Sequence, residues 1–348
     1  MISGLHSLLE GTRQPGLREL RAALGERLGG PGVEGRVVGE QRLNESGSID
    51  RVHLELNGEL ISVVVKRSRP AAAQRNRFIA HRCLPAAGLE AGAPAILAAA
   101  AERSGRYVWQ IYEDLGERTL ETDRDAAAVQ AAVDLLGKLH ARFIGHPLLA
   151  EARDVGGDFG PGFYTSSVRD AIRCLEALSL PPAGVAGDWS QLRDRLLERT
   201  WALRAEERER TQAIADLGGP ETLLHGDLWL KNASVVRKGR SVRVGLIDWD
   251  HAGLGPSGYD LSTFVNGFPP HERHGVLQLY KEAAAHPGWH LPSDADLSHL
   301  FRTFELARIA NCVVWAALAA NDGVAGALEE LAATADWLGS VDEFALAP

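Results

Sequence analysis

The chain has 348 residues, a formal net charge of −9 at pH 7, 45% apolar residues and 24% charged residues. This length exceeds one typical hydrophobic core and predicts two lobes, and the composition is that of an ordinary globular protein. The acidic balance and the lack of any basic block argue against nucleic acid as the main partner.

The cysteines and the apolar runs indicate the compartment. Cys83, Cys174 and Cys312 are scattered without a C-x-x-C spacing, which argues against a disulfide framework or a zinc site. The first residues contain no long apolar run typical of a signal peptide, and the most apolar stretch, 309–320, is too short to span a bilayer. We therefore expect a cytoplasmic protein that does not bind a membrane.

The first elements of the chain are a helix and a set of strands. Leucines at helical spacing predict a helix over 17–28, and apolar alternation predicts strands over 36–43, 50–56 and 60–66. Asn57-Gly58 is a strong signal for a two-residue hairpin between the last two strands. The chain therefore begins with an antiparallel sheet.

Two features of this sheet are candidates for binding phosphate. Ser46, Gly47 and Ser48 lie between the first two strands and could offer N–H groups and hydroxyls to a phosphate, although an ordinary hairpin loop is the simpler interpretation of this stretch alone. Lys66 ends an I-S-V-V-V-K run, in a chain with only five lysines among its 37 basic residues. A compact ammonium there suggests a phosphate contact; the alternative is a lysine that extends to solvent.

A buried strand is predicted over 107–113, and Asp114-Leu115-Gly116 ends it. We place the lobe boundary there, which gives an N-lobe over 1–113 and a C-lobe over 114–348. The C-lobe is mostly helical by periodicity, and its predicted helices cover 126–143, 189–213, 259–268, 276–285, 297–320 and 326–338.

Two motifs of the C-lobe carry the chemistry. The segment 223–232 reads L-L-H-G-D-L-W-L-K-N, and a second apolar run ends in I-D-W-D at 247–250. Each is a strand-like run that stops at a carboxylate, and a short hairpin between them would bring Asp227, Asn232 and Asp248 together. A carboxylate that accepts a proton, together with an amide and a carboxylate for a hard cation, is the set of groups that phosphoryl transfer uses.

These residues resemble a known family. His225-Gly226-Asp227 with Asn232 is similar to the catalytic loop of the aminoglycoside phosphotransferase and choline kinase-like superfamily, and Ile247-Asp248-Trp249 is similar to its metal-binding segment. The resemblance is dense over 222–264 and looser over 36–140. It implies an α+β, bilobal protein kinase-like fold, with an antiparallel sheet and a helix in the N-lobe and a mainly helical C-lobe.

The resemblance also implies a role for each candidate residue. Asp227 would be the catalytic base, and Asn232 and Asp248 would hold Mg²⁺. His225 and Asp260 would support the loop, with Asp260 capping the helix that follows, and Asp250 is a candidate acceptor contact. His140, at the end of the 126–143 helix, is expected to be a structural partner of the loop. The nucleotide would be bound by Ser46, Gly47, Ser48, Lys66, Glu113 and Leu115, the last two through a hinge at the base.

One departure from the family concerns Lys66. Kinases place a glutamate on the next helix to pair with this lysine, but no acidic residue occurs over 67–89, and Arg75 stands at the expected place. We expect Lys66 to pair with another carboxylate, such as Glu45 or Glu90, or to stay unpaired until nucleotide and metal arrive.

The predicted activity is transfer of the terminal phosphate of ATP or GTP to a hydroxyl of a small molecule, with an aminoglycoside or another antibiotic as the first candidate. The alternatives are a metabolic kinase of a choline-, sugar- or steroid-like alcohol, and a degenerate kinase fold that binds nucleotide without turnover. Nothing in the sequence indicates the oligomeric state.

The acidic residues near the predicted acceptor site favour a cationic acceptor. A neutral acceptor is the competing hypothesis, and it would suit the apolar residues Phe268, Trp289 and Trp315. The carboxylates in question are Asp250, Glu272, Asp294, Asp296 and Glu305.

Overall fold

The computed structural model describes residues 2–12, 14–44, 47–179, 189–285 and 291–341, so Glu45, Ser46 and Trp289 lie outside the described residues. The chain forms two compact units. The first contains Met1–Leu135 and Leu230–Ala252, and the second contains Leu136–Trp229 and Gly253–Pro348. The boundary predicted after residue 113 lies inside the first unit, because the segment up to Leu135 stays with it and the 230–252 segment returns to it.

Strands and helices are numbered in chain order. The strands are β1 (Ile2–Ser3), β2 (Gly35–Arg42), β3 (Ile49–Leu56), β4 (Glu59–Ser68), β5 (Ile96–Ala101), β6 (Val108–Glu113), β7 (Gly157–Asp158), β8 (Glu221–Leu224), β9 (Ala233–Lys238), β10 (Ser241–Leu246) and β11 (Gly253–Pro256). The helices are α1 (Leu17–Leu28), α2 (Pro70–Phe78), α3 (Leu84–Ala86), α4 (Ala126–Phe143), α5 (Leu148–Val155), α6 (Pro161–Glu176), α7 (Trp189–Ala205), α8 (Glu207–Leu217), α9 (Gly258–Asn266), α10 (Pro270–Ala283), α11 (Asp294–Asn321) and α12 (Ala327–Ser340).

The first unit is built on a sheet with the order β1-β2-β3-β4-β6-β5. It is antiparallel as predicted, except that the short β1 runs parallel to β2. The turn between β3 and β4 has positive φ at both Asn57 (51°) and Gly58 (85°), which confirms the predicted hairpin, because such a turn matches the twist of the strands. Leu20 and Leu24 of α1 pack in the core of this unit with Trp109 of β6.

The hairpin of β9 and β10 also belongs to the first unit. Leu120 donates its N–H to the Ala233 carbonyl at 2.8 Å, and Val235 donates to the Arg118 carbonyl at 2.9 Å. The hairpin register, from Ser241 opposite Lys238 to Leu246 opposite Ala233, brings the ends of the two chemical motifs to the same end of the hairpin. This is the arrangement that the two motifs predicted.

The second unit is mainly helical. Its core contains residues of α6, α7, α9, α11 and α12. The helix predicted over 189–213 is instead two helices, α7 and α8, that meet at Glu206. Next to this junction, Arg210 is buried, binds the Glu206 carboxylate and donates to Thr303 of α11 at 3.1 Å, which ties α8 to α11.

Helix α11 is longer than the apolar stretch 309–320, because a more polar N-terminal half precedes that stretch. Its 28 residues are long and apolar enough to cross a membrane by length and composition alone, but 61% of its most apolar window is buried. It also carries a buried ion pair between Glu305 and Arg308 at 3.4 Å. Both properties are typical of a core helix, so α11 gives only weak evidence for a membrane span.

Candidate active site

A cavity of about 240 Å³ lies in the first unit, in front of the sheet. Its apolar lining includes Leu43, Ile49, Val64, Leu115 and Ile247, and its polar lining includes Lys66, Glu113, Asn232 and Asp248. The cavity therefore contains most of the residues that the sequence assigned to nucleotide and metal. Its apolar walls suit a flat base, and its polar end suits phosphates.

Lys66 lies at the polar end of this cavity between two carboxylates. Its Nζ is 2.6 Å from Asp248 Oδ1 and 2.8 Å from Asp250 Oδ1, and its side chain is 12% exposed. Burial alone would lower the pKa of Lys66, but the two carboxylates outweigh this and hold the pKa above its ordinary value. The lysine is therefore a fixed positive charge rather than a strand end that extends to solvent.

Lys66 pairs with other carboxylates in place of a helix glutamate, as expected, but among the described residues Glu90 is not one of them. Glu90 is exposed and Glu45 lies outside the described residues, whereas Asp248 and Asp250 of the second motif form the ion pairs. No local pattern indicated this, because β4 and the second motif meet only through the folding of the whole unit.

Helix α2 holds Asp250 from the other side. Asn76 Nδ2 donates to Asp250 Oδ1 at 2.5 Å, and the Arg75 guanidinium donates to the backbone carbonyl of Asp250. The structure thus places Asp250, a predicted acceptor contact, in an ion pair with Lys66. Asn76 also lines the cavity, and sequence analysis missed it because its partner is remote in the chain.

The two candidate metal ligands are joined by the backbone. Ile247 donates its N–H to the Asn232 carbonyl at 2.9 Å, and both Asn232 and Asp248 line the cavity. Asp248 has a left-handed backbone conformation with a φ of 66°. Residues other than glycine adopt this conformation at a cost in free energy, and such residues are enriched at functional sites. An amide oxygen and a carboxylate are hard oxygen donors that fit Mg²⁺, which takes few protein ligands and completes its shell with water and phosphate. Among the described residues no group of three or more His, Cys, Asp and Glu side chains could hold a metal.

In the described part of the Ser46–Ser48 loop, the backbone N–H of Ser48 is already bonded within the loop. Asn44 Oδ1 accepts the N–H groups of Ser48 and Ile49 at 3.0 and 3.1 Å, and Gly47 has a φ of 65°. Neither Gly47 nor Ser48 lines the cavity. Their assignment to phosphate stays a prediction, and it requires the Ser48 N–H to exchange Asn44 for a ligand.

Glu113 and Leu115, the residues predicted to form the hinge, both line the cavity beside a charged contact that the sequence did not reveal. Arg51 of β3 donates to the Asp114 carboxylate at 2.7 Å and to Glu117 at 2.7 Å. Arg51 follows Ile49 by two residues on the same strand, so strand alternation could have placed both side chains on the cavity face.

In the second unit, the catalytic-loop candidates are organised around Asp260. This residue is fully buried, and its carboxylate accepts the N–H groups of His225 at 2.7 Å and Gly226 at 2.9 Å. Gly226 has a φ of 82°, which explains the glycine. Asp260 therefore supports the loop as predicted, but it lies inside α9 and makes no cap hydrogen bond, so the capping role was wrong.

His140 completes this support. Its Nε2 lies 3.4 Å from Asp260 Oδ2, and its Nδ1 lies 2.8 Å from the Tyr280 hydroxyl. Burial alone would raise the pKa of Asp260, but the hydrogen bond with His140 and the proximity of His225 outweigh it and hold the pKa below its ordinary value. Asp260 is thus a buried carboxylate that His140 of α4 and the loop residues His225 and Gly226 stabilise.

Asp227 itself is held by the aromatic residue that follows it in the motif. Trp229 Nε1 donates to Asp227 Oδ1 at 2.7 Å, and the Trp229 ring lies 5.7 Å from the ring of Trp337 in α12. The indole N–H of Trp229 orients one carboxylate oxygen of Asp227, and the indole ring provides an aromatic surface beside it. Neither tryptophan was predicted from the sequence, although the L-W-L within the motif was a signal for Trp229.

Replacement of Asp260 by asparagine is expected to lower the free energy of unfolding by roughly 3 kcal/mol at neutral pH, because an amide nitrogen would face buried N–H groups. The depressed pKa means that this contribution is complete above pH 3.8, the ordinary value, and is lost as the pH falls through the lower folded value. Urea unfolding at pH 7 and in acid would measure both effects. Asp322→Asn, at an exposed position, is the matched control, and equal stability of the two variants would contradict the role of Asp260.

The carboxylates that suggested a cationic acceptor are largely engaged. Asp294 lies 3.0 Å from Lys281 and 2.9 Å from His274, and Glu305 is 1% exposed. Asp250 is paired with Lys66, as described above. Of the apolar residues that suited a neutral acceptor, Phe268 is buried in the core and Trp315 is 64% exposed. Both the cationic and the neutral acceptor therefore stay predictions, although several of the carboxylates are already paired or buried.

The two units and their candidate residues define a protein kinase-like phosphotransferase, and comparison with known proteins agrees. The model of the phosphotransferase enzyme family matches residues 40–293. The chain belongs to this family, which confirms the resemblance predicted from the H-G-D and I-D-W-D motifs. No curated protein sequence matches the chain.

Solved structures confirm the kinase-like fold. A spectinomycin phosphotransferase in complex with ADP and spectinomycin is 14% identical, with 88% of this chain and 94% of that chain covered and a TM-score of 0.57. An ethanolamine kinase from Plasmodium vivax is 12% identical, with 95% and 87% covered and a TM-score of 0.56. A macrolide 2'-phosphotransferase from Brachybacterium faecium is 17% identical, with 90% and 95% covered and a TM-score of 0.54.

Proposed function

We propose that this protein transfers the terminal phosphate of ATP or GTP to a hydroxyl group of a small molecule, with Mg²⁺. The observation that carries the proposal is the cavity of the first unit, in which Lys66, Asn232 and Asp248 share one polar end below apolar walls. A nucleotide needs these two environments at the same time, one for its base and one for its phosphates.

Each residue has a task in this reaction. Asp227 lies five residues before Asn232 in the chain and accepts the proton of the acceptor hydroxyl. The hydroxyl oxygen then bonds to the terminal phosphorus while the bond from that phosphorus to the nucleoside diphosphate breaks. Trp229 orients the carboxylate, and Lys66 compensates phosphate charge. Asn232 and Asp248 would hold the Mg²⁺, which neutralises phosphate charge when bound.

The acceptor is proposed from the relatives. Spectinomycin, a macrolide and ethanolamine are named for three structurally similar proteins, so an antibiotic and a small metabolic alcohol are both candidates. The aromatic pair Trp229 and Trp337 near Asp227 favours an acceptor with an apolar face. The intact Asp227, Asn232 and Asp248 argue against a degenerate fold without turnover.

The test is nucleotide consumption with a panel of acceptors. The purified protein is incubated with Mg²⁺ and ATP or GTP, and with an aminoglycoside, spectinomycin, a macrolide, ethanolamine, choline or a sugar. We expect one acceptor to cause release of nucleoside diphosphate and to gain one phosphoryl group by mass, and chelation of Mg²⁺ to abolish both. Tight binding of nucleotide with no turnover of any acceptor would contradict the proposal and favour the degenerate kinase fold.

A further inference from the structure

Kinases position the phosphate-binding lysine with a glutamate on the following helix, and this chain has none. Helix α2 carries no acidic residue, yet Lys66 is firmly held. The inference that follows rests on the proposed function, because it assigns the residue that takes over from the glutamate.

Asp250 occupies the place between the helix and the lysine. Its Oδ1 lies 2.8 Å from Lys66 Nζ and accepts from Asn76 Nδ2 of α2 at 2.5 Å. The Arg75 guanidinium donates to the backbone carbonyl of the same residue. Helix α2 is therefore connected to Lys66 through two side chains, the amide of Asn76 on the helix and the carboxylate of Asp250 on the loop.

The two carboxylates at Lys66 differ in their surroundings. Asp248 is 37% exposed and lines the cavity, where a ligand can reach it. Asp250 is 23% exposed, does not line the cavity and is held by α2 at both its side chain and its backbone. Asp248 can thus turn to a ligand while Asp250 keeps its contact with the lysine.

We propose that Asp250 is the residue that positions Lys66 for the nucleotide phosphates, in place of a helix glutamate. Asn76 and Arg75 hold Asp250, so α2 still controls the lysine, but through an intermediate carboxylate. Arg75, which stands where a kinase has the glutamate, therefore stabilises the lysine site through the backbone of Asp250. Asp250 is a positioning residue, since it acts through Lys66.

The proposal predicts that a carboxylate returned to the helix can replace Asp250. Asp250→Asn keeps the shape and removes the charge, and it should lower kcat/KM for the nucleotide roughly tenfold or more and weaken metal-free binding of ADP or GDP. Adding Asn76→Glu to Asp250→Asn supplies a helix carboxylate that reaches one methylene further, and it should recover most of the loss. Adding Asn76→Gln to Asp250→Asn is the matched control of equal length without charge, and it should recover nothing.

Calorimetric titration with ADP and GDP in the absence of metal, initial rates, and urea unfolding of all four proteins distinguish the outcomes. A wild-type protein that binds neither nucleotide and shows no turnover would overturn the proposed function itself. A wild-type protein that binds and turns over, with Asp250→Asn unchanged, would overturn only the role of Asp250. A loss that the glutamate and the glutamine rescue equally, or that follows a drop in unfolding free energy, would show a structural role and would also overturn it. Rescue by the glutamate alone supports it.

Discussion

Replacement of Asp227 by asparagine is expected to lower kcat by roughly 100-fold or more while the affinity for the nucleotide stays near that of the wild type. The amide cannot accept the proton of the acceptor hydroxyl. Its oxygen can still accept the Trp229 indole N–H that now binds Asp227 Oδ1 at 2.7 Å, so the geometry of the loop should persist. Steady-state rates and calorimetric titration with ADP or GDP would separate the two effects.

The control for this change is Asp322→Asn, which makes the same substitution at an exposed position in the same unit. It should leave kcat unchanged. A variant of Asp227 that retains near-normal turnover would remove this residue from the reaction, and a parallel loss of nucleotide affinity would indicate that the loop had collapsed.

Replacement of Asp248 by alanine is expected to raise the Mg²⁺ concentration for half-maximal rate roughly tenfold or more, and Asn232→Ala is expected to raise it less. Asp248 contributes a full negative charge and Asn232 only a dipole, which explains the order. Both line the same cavity. Initial rates measured against Mg²⁺ at saturating nucleotide would give the two values.

Asp248 has a second contact that must be separated from the first. It lies 2.6 Å from Lys66, so its loss also changes the charge around the lysine. Asp250→Asn removes a lysine partner without removing a proposed metal ligand, and it should leave the Mg²⁺ dependence close to that of the wild type. Metal titrations of Asp248→Ala and Asn232→Ala that overlay the wild-type curve would contradict the assignment of both ligands.

Several parts of the structure follow from short stretches of sequence. The hairpin at Asn57-Gly58 and helices α1 and α4 were predicted with little error, because turn chemistry and apolar periodicity act within a few residues. The H-G-D and I-D-W-D motifs were sufficient for the family. They also predicted that Asn232 and Asp248 lie on one wall, since the β9–β10 hairpin joins their ends.

Contacts between remote residues were beyond such patterns. Lys66 and its partner Asp248 are 182 positions apart. The residues around Lys66 in the sequence do not indicate which of the many carboxylates of the chain will bind it. The engagement of Asp294 by Lys281 of α10 likewise joins two helices, whereas Glu305 pairs with Arg308 one turn further along α11. The contact of Arg210 in α8 with Thr303 in α11 also joins residues that are 93 positions apart.

The sequence by itself therefore determined the family and the kinase-like fold, and it supplied the residues that we propose for phosphoryl transfer. These depend on residue type and on spacing within a loop or a strand, and local sterics and hydrogen bonding set both. Only the tertiary structure decided which carboxylate holds Lys66, how Asp260 supports the catalytic loop and which acidic residues are already engaged. An ion pair depends on the distance between two charges in space and not on their separation in the sequence. The partner of a buried charge is therefore the group that packing places within about 4 Å of it.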